Sequence, residues 1–132
     1  MTITYRNDIV PDTLAVCALF ADSGIIRPVN DTERIAQMLE QADLIWSAWD
    51  GSRLVGIARS LTDFCYCCYL SDLAVAKDVQ KQGIGKELVR RTCEQLGETV
   101  MLLLLAAQTA KGYYEHIGFN PVDNGWVIKR RV

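Results

Sequence analysis

Histidine is almost missing from this sequence. His116 is the only one among 132 residues. A zinc site of the usual Cys/His type is therefore poorly supplied. An excess of either charge is missing too. The chain has 14 Lys and Arg against 16 Asp and Glu, for a net charge of -2. That balance gives no general attraction to nucleic acid or to an anionic membrane. Long apolar runs are also lacking. The most apolar stretch, Val100 to Ala107, falls far short of the roughly 20 residues that span a bilayer. The opening MTITYRNDIVPD lacks the charged-then-apolar layout of a signal peptide. The expected setting is the cytosol. No repeat, linker or low-complexity segment divides the chain, so residues 1–132 are expected to form a single domain.

Five cysteines are present: Cys17, Cys65, Cys67, Cys68 and Cys93. An odd number without a signal peptide argues against a disulfide framework. The cluster Cys65-Tyr66-Cys67-Cys68 fits no usual zinc spacing, and His116 is far away. These cysteines are expected to be small core residues, because free cysteine buries readily. No metal is expected.

What is present reads as a mixed α/β chain with a largely antiparallel sheet. Ile3 to Tyr5 suits a first strand. Pro11 suits a first helical turn, and Leu14, Cys17, Ala18 and Ala21 follow at helical spacing up to Gly24. Asn30 or Asp31 suits the cap of a second helix, with Ile35, Met38, Leu39 and Ala42 on one face. Leu44 to Trp49, Arg53 to Leu61 and Tyr66 to Ala76 read as an antiparallel meander, with Asp50-Gly51 as a hairpin signal. Gly83 to Leu96 is a helix with Ile84, Leu88, Val89, Thr92 and Leu96 along one side, stopped by Gly97. Thr99 to Ala107 suits a strand buried on both faces and paired in parallel across that helix. Thr109 to His116 reads as a short helix. Gly118 to Val122 and Trp126 to Lys129 read as a closing hairpin. The predicted order is β-α-α-β-β-β-α-β-α-β-β.

The most informative stretch is DLAVAKDVQKQGIGKELVRRT, Asp72 to Thr92. A strand, a glycine-bearing turn and a helix in that order can hold a phosphate. A P-loop is excluded, because Gly85-Lys86 is followed by Glu87 and no glycine stands at the upstream position. A dinucleotide fingerprint is incomplete, because Leu88 occupies the third glycine position. The remaining pattern is Q-x-x-G-x-G, formed by Gln80, Gly83 and Gly85. Glycine admits a close backbone approach, and the positive helix end faces a diphosphate. Lys81 and Lys86 add charge at the rim. Alone, G-x-G before a helix is as often a plain strand-to-helix turn.

Together with YYEHIGF downstream, this stretch resembles the GNAT superfamily of acetyl-CoA-dependent N-acetyltransferases. Q-x-x-G-x-G is that family's coenzyme A pyrophosphate motif, and Tyr114 to Phe119 matches its Y-x-x-x-G-F ending. The order of elements matches along nearly the whole chain. The stretch LVGIARSLTDFCYCCYLSDLAV further resembles a group of small bacterial members. The resemblance implies a GNAT fold, a single N-acetyltransferase domain over 1–132, and acetyl-CoA as co-substrate. It implies that the backbone of Leu73, Ala74 and Val75 pairs with the pantetheine arm. It implies that the amides of Gln80, Lys81, Gln82, Gly83, Ile84, Gly85 and Lys86 hold the pyrophosphate.

The implied reaction is direct attack of a primary amine on the acetyl thioester. An ammonium with a reference pKa of roughly 10.4 must first lose a proton, and the leaving thiolate gains from receiving one. Tyr114 matches the family's general acid, with Tyr113 as its competitor. Both also suit plain packing. Many family members carry a glutamate base where this chain has Tyr69. Asp72 is the nearest acid. It either serves the reaction or simply binds a backbone group or a lysine, since a carboxylate in an apolar strand needs a partner. Arg27, Arg59 and Asp63 either select substrate charge or are solvated surface groups. A small-molecule amine is the expected acceptor. The alternatives are a protein N-terminus or lysine, and a catalytically silent acyl-CoA-binding module. An open sheet edge or the final hairpin would support a homodimer.

Overall fold

The computed structural model describes residues 2–107 and 111–132. Nine elements of regular structure run through them. They are β1 (Thr4–Arg6), α1 (Thr13–Ser23), α2 (Thr32–Glu40), β2 (Leu44–Asp50), β3 (Arg53–Thr62), β4 (Cys67–Val75), α3 (Ile84–Leu96), β5 (Met101–Leu103) and α4 (Lys111–His116). A single 3-10 turn, Lys77–Val79, joins β4 to the loop before α3. The strands form one sheet in the order β1-β2-β3-β4-β5. All neighbours are antiparallel except β4 and β5, which run parallel. The predicted mixed α/β GNAT arrangement is therefore present through α4.

Local chemistry sets the element ends. The Asp12 carboxylate caps α1 by accepting from the Leu14 and Ala15 N–H groups, which satisfies two donors that a helix start leaves free. Pro11 thus lies just before the helix rather than in its first turn. Gly24 closes α1 at φ +92°, a conformation other residues avoid. Asp31 caps α2 through the Arg34 N–H. In α1 the buried face is Val16, Cys17, Leu19 and Phe20, while Leu14 is exposed. The large side chains of Val16 and Phe20 win the core over Leu14, Ala18 and Ala21, which the spacing had favoured. In α3 the predicted face is the buried one: Ile84, Leu88, Val89, Thr92 and Leu96.

Three expectations are corrected. The strand over 99–107 is confined to Met101–Leu103 and is largely exposed. It lies at the sheet edge and has only β4 beside it, so its outer side is uncovered. The closing hairpin is not formed: no strand is assigned after α4, and Trp126 to Val132 are exposed. With β5 so short, its edge presents little ladder for a hairpin of the same chain to continue. Finally, only Cys17 and Cys68 are buried, and Cys65, Cys67 and Cys93 are exposed. Cys65 sits in the β3–β4 turn, and Cys67 lies opposite exposed Met101 on the uncovered side of β4. The helix expected over 109–116 is present from Lys111; its first two positions lie outside the described residues.

Candidate functional site

The site is organised by a break in the sheet. The β4–β5 pairing covers only Cys67–Tyr69 against Met101–Leu103. β4 then continues to Val75 without β5 beside it. At the same level β4 carries an extra residue. Arg59 faces Asp72 and Ser60 faces Leu70, which leaves Ser71 as a bulge. A bulge bends its strand and shifts the side-chain alternation. The contacts show both effects. Cys68 packs with Leu96 of α3, and Val75 also lies toward α3, near Gly85. Asp72, between them, points instead to the arginines on the α1–α2 side. From Leu70 to Val75 this leaves a gap in the pairing on the β5 side of β4.

Backbone groups line this gap. Ala76 N–H donates to the Val55 carbonyl of β3 at 2.8 Å. In an antiparallel ladder alternate residues bond to opposite sides. Ala74 therefore directs its backbone to β3, and Leu73 and Val75 direct theirs to the gap. The Val75 carbonyl accepts from the Gln80 side-chain amide at 2.9 Å, and the same amide reaches the Ser23 carbonyl at 3.4 Å. Gln80 thus ties the phosphate-loop candidate to the ends of β4 and α1. Asp22 adds a second tie by accepting the Lys77 N–H at 2.8 Å.

The loop itself is built for exposed amides. Lys81 adopts φ +69° and Gly83 φ +84°, both in the left-handed region. The first intrahelical bond of α3 runs from the Glu87 N–H to the Gly83 carbonyl at 3.0 Å. The N–H groups of Ile84, Gly85 and Lys86 precede it and have no turn behind them. Among the described residues, no backbone hydrogen bond is donated from Lys81 through Lys86 outside that helix. A side chain added at Gly83 would meet nothing within 4 Å, which leaves open space before these donors. This cluster of N–H groups at the positive end of a thirteen-residue helix suits a diphosphate. Lys81, Gln82 and Lys86 are exposed at its rim.

The two tyrosines of α4 go to different places. A Cβ built on Gly85 would lie only 2.3 Å from the Tyr113 hydroxyl oxygen. Tyr113 therefore stands over the start of α3, and Gly85 is the seat that admits it. Tyr114 is half-buried and packs edge-on against Phe119, with ring centroids 5.6 Å apart. Burial pushes the Tyr114 phenol above its usual range, and the positive charge of Arg27 opposes that shift. Burial also raises Tyr113, with a further push from Tyr114. The two rings meet edge to face at 5.3 Å.

Asp72 is fully buried, with 0% exposure. One carboxylate oxygen accepts from Arg27 Nε at 2.5 Å, and the other accepts from Arg59 Nε. Both guanidinium groups reach further. Arg27 donates to the Ser71 carbonyl at 2.8 Å, and Arg59 donates to the Ser71 hydroxyl at 3.1 Å. Arg59 also donates to the Met38 carbonyl of α2 at 3.3 Å. The partners of Asp72 are two arginines, where a backbone group or a lysine was expected. The triad pins the α1–α2 loop and α2 to the bulge. Sequence reading left Arg27 and Arg59 as either selectors of substrate charge or solvated surface groups. Their one visible signal was the need of a strand carboxylate for a cation.

Asp63 is a turn organiser. One of its oxygens accepts from the N–H groups of Cys65, Tyr66 and Cys67, which holds its carboxyl well below the usual range. Trp46 donates to Gln95 of α3 at 2.9 Å, and Trp49 donates to Ser47 at 2.8 Å. Among the described residues no group of three or more His, Cys, Asp and Glu is gathered as a metal site.

Comparison with known proteins agrees with this geometry. Residues 21–127 match the family model for the acetyltransferase (GNAT) domain. A protein of unknown function and probable acetyltransferase from methicillin-resistant Staphylococcus aureus superposes with a TM-score of 0.83 and 25% identity, covering 98% of this chain and all of that one. A GNAT-family acetyltransferase from Streptococcus pneumoniae gives 0.81 and 26%, covering 99% of this chain and all of that one. The uncharacterized N-acetyltransferase ycf52 of Gracilaria tenuistipitata var. liui is 31% identical over 68 residues. That match takes in half of this chain and 37% of the other protein's length.

Proposed function

The chain belongs to the GNAT acetyltransferase family, and from that premise we propose that it transfers an acetyl group from acetyl-CoA to a primary amine on a small molecule. One observation carries the reading. The gap beside β4 opens directly onto the free N–H cluster at the start of α3, so a single extended molecule meets backbone partners along one side and a diphosphate seat at its end.

Acetyl-CoA, the co-substrate, supplies an activated acetyl thioester. The chain's own residues then divide the work. Leu73 and Val75 present backbone groups to the pantetheine arm, and Ala74 between them keeps β4 fixed to β3. Lys81 through Lys86 donate amides to the pyrophosphate, and Gln80 braces their loop. Tyr113, seated on Gly85, lies at the phosphate end. Tyr114 is the general acid that protonates the departing thiolate. Its raised pKa keeps the phenol protonated across the neutral range, as a proton donor requires. Asp72 serves the site as an anchor. Each of its oxygens already accepts from a guanidinium, so its role is to hold Arg27 and the α1–α2 loop rather than to take a proton from the amine. A water path is then the route by which the ammonium loses its proton. The loop at Ser23 to Asn30 and the meander wall the acceptor side.

The test is thermal melting with saturating acetyl-CoA, coenzyme A, ATP or NAD. A ligand at about 1,000 times its dissociation constant adds roughly 4 kcal/mol. Acetyl-CoA and coenzyme A alone should raise the melting temperature, and a screen of amines should then release thiol. A response to ATP or NAD alone would overturn the assignment. A response to coenzyme A with no thiol release from any amine would instead favour a binding module.

A further inference from the structure

The buried ion triad does not balance. Asp72 brings one negative charge, and Arg27 and Arg59 bring two positive ones. Among the described residues no other acid pairs with either arginine. One positive charge is left over where water is scarce, and such a charge favours an anion beside it. Arg27 is the partly exposed member and Arg59 the buried one. A guanidinium carries five N–H donors. Arg27 gives three of them, to Asp72, the Ile26 carbonyl and the Ser71 carbonyl, which leaves two. Its positive charge also reaches the Tyr114 phenol.

A second feature adjoins the triad on the same face of the sheet. Arg59 and Leu61 are two apart on β3 and share that face. Leu61 stands opposite Tyr69 of β4, and Tyr69 stands opposite Leu103 of β5. These three make one apolar row across three strands, and they are 41%, 37% and 38% exposed. The row crosses the sheet at the last pair before β4 and β5 part. Asp43 and Asp63, at the turn end of β3, accept backbone N–H groups there, and neither pairs with Arg27.

We propose, on the acetyltransferase reading given above, that the acceptor is an amino acid with an apolar side chain. Arg27 binds its carboxylate, and Leu61, Tyr69 and Leu103 carry its side chain. The carboxylate supplies the negative charge that the triad lacks, and a guanidinium fork suits both of its oxygens. The side chain covers apolar area that otherwise faces water. The amine, on the carbon next to the carboxylate, is thereby brought toward Tyr114. The product is the N-acetyl amino acid; coenzyme A leaves as the thiol, and one proton goes to solvent. A neutral amine leaves the guanidinium without its anion, and a polyamine is repelled by it.

The experiment measures thiol release from acetyl-CoA with three pairs of acceptors. Each pair is an amino acid and the amine left when its carboxylate is removed: alanine and ethylamine, leucine and isoamylamine, phenylalanine and phenethylamine. Spermidine is the polycationic control and should be poor. For leucine or phenylalanine, kcat/KM should exceed that of the matching amine roughly 10–150-fold, the worth of a hydrogen bond to a charged group. Arg27→Met should bring that ratio close to one. The ratio is taken within one variant, so a general loss of activity or stability cancels. Leu61→Ala, at an exposed position, should lower leucine and phenylalanine several-fold relative to alanine. A native protein that takes neutral amines as well as their amino acids would overturn the proposal and leave the acetyltransferase reading standing. A preference that survives Arg27→Met would overturn it too, because the carboxylate would then bind elsewhere. If coenzyme A binds and no acceptor releases thiol, both readings fall.

Discussion

Replacing Asp72 by asparagine tests the construction of the site most directly. The change keeps the shape of the side chain and removes its charge. In the native protein that charge lies between Arg27, whose side chain is 29% exposed, and Arg59, whose side chain is 7% exposed. With an amide at position 72, one oxygen remains for two guanidinium groups, and the amide nitrogen confronts one of them donor to donor. Arg59 is the costlier orphan, because it cannot reach water. Removing one partner of a buried ion pair typically costs about 3–5 kcal/mol. For a chain of this size that corresponds to a fall in melting temperature of roughly 10–20 °C. Arg27→Met should cost less, about 1.5–3 kcal/mol for a hydrogen bond to a charged group, because Asp72 keeps Arg59. The assay is urea unfolding followed by tryptophan fluorescence, with turnover measured at a temperature where both variants are folded. If Asp72→Asn lies within about 1 kcal/mol of the native protein yet abolishes turnover, the carboxylate is a base and the anchoring argument is wrong.

Three further outcomes follow from the same geometry. Tyr114→Phe should lower turnover about 10²–10⁴-fold, the usual worth of a general acid, while acetyl-CoA binding measured by calorimetry stays unchanged; an unaltered rate would remove Tyr114 from the chemistry. Gly85→Ala should cost about 1–3 kcal/mol through overpacking against the Tyr113 hydroxyl, and Tyr113→Phe should restore much of that loss in a double mutant measured by thermal melting. Glu87 is held down to about 2 by hydrogen bonds from Arg90 and Arg91. A carboxylate with a lowered pKa gives stability that is present above its ordinary value near 4.5 and lost as the pH falls toward 2. Glu87→Gln should therefore flatten acid denaturation in that window by at most about 1 kcal/mol, as for a surface ion pair.

Much of this fold was legible because its signals are local. Helix caps, glycine stops, the Asp50-Gly51 hairpin and the buried stripe of α3 are each written within a few residues. The loop with free amides before α3 was legible for the same reason, because Gln80, Gly83 and Gly85 lie on one short turn. What escaped was long-range. Arg59 looks like a surface residue in ARSLTD, and only its partner in the next strand makes it a buried one. The apolar run after Thr99 looks like a two-sided core strand. Its exposure depends on what lies beside it, and the run itself carries no record of its neighbours. The place of Tyr113 depends on the absence of a side chain at Gly85, a feature of another helix. Trp126 to Lys129 reads as a strand, and its pattern carries no record of whether a partner strand lies beside it.

The bulge at Ser71 has one more consequence. Its effect comes from the number of residues in β4. Ser71 has no opposite number on β3, and its carbonyl and hydroxyl each take an arginine. Removing that residue would bring β4 back into step with β3, with Cys68 and Val75 on the α3 side and Asp72 still on the side of the arginines. A deletion of a single codon would then take away the carbonyl that accepts from Arg27 and the hydroxyl that accepts from Arg59, with Asp72 itself and the Gln80 to Lys86 loop unaltered. The hold on both arginines thus depends on one surplus residue at one point in one strand.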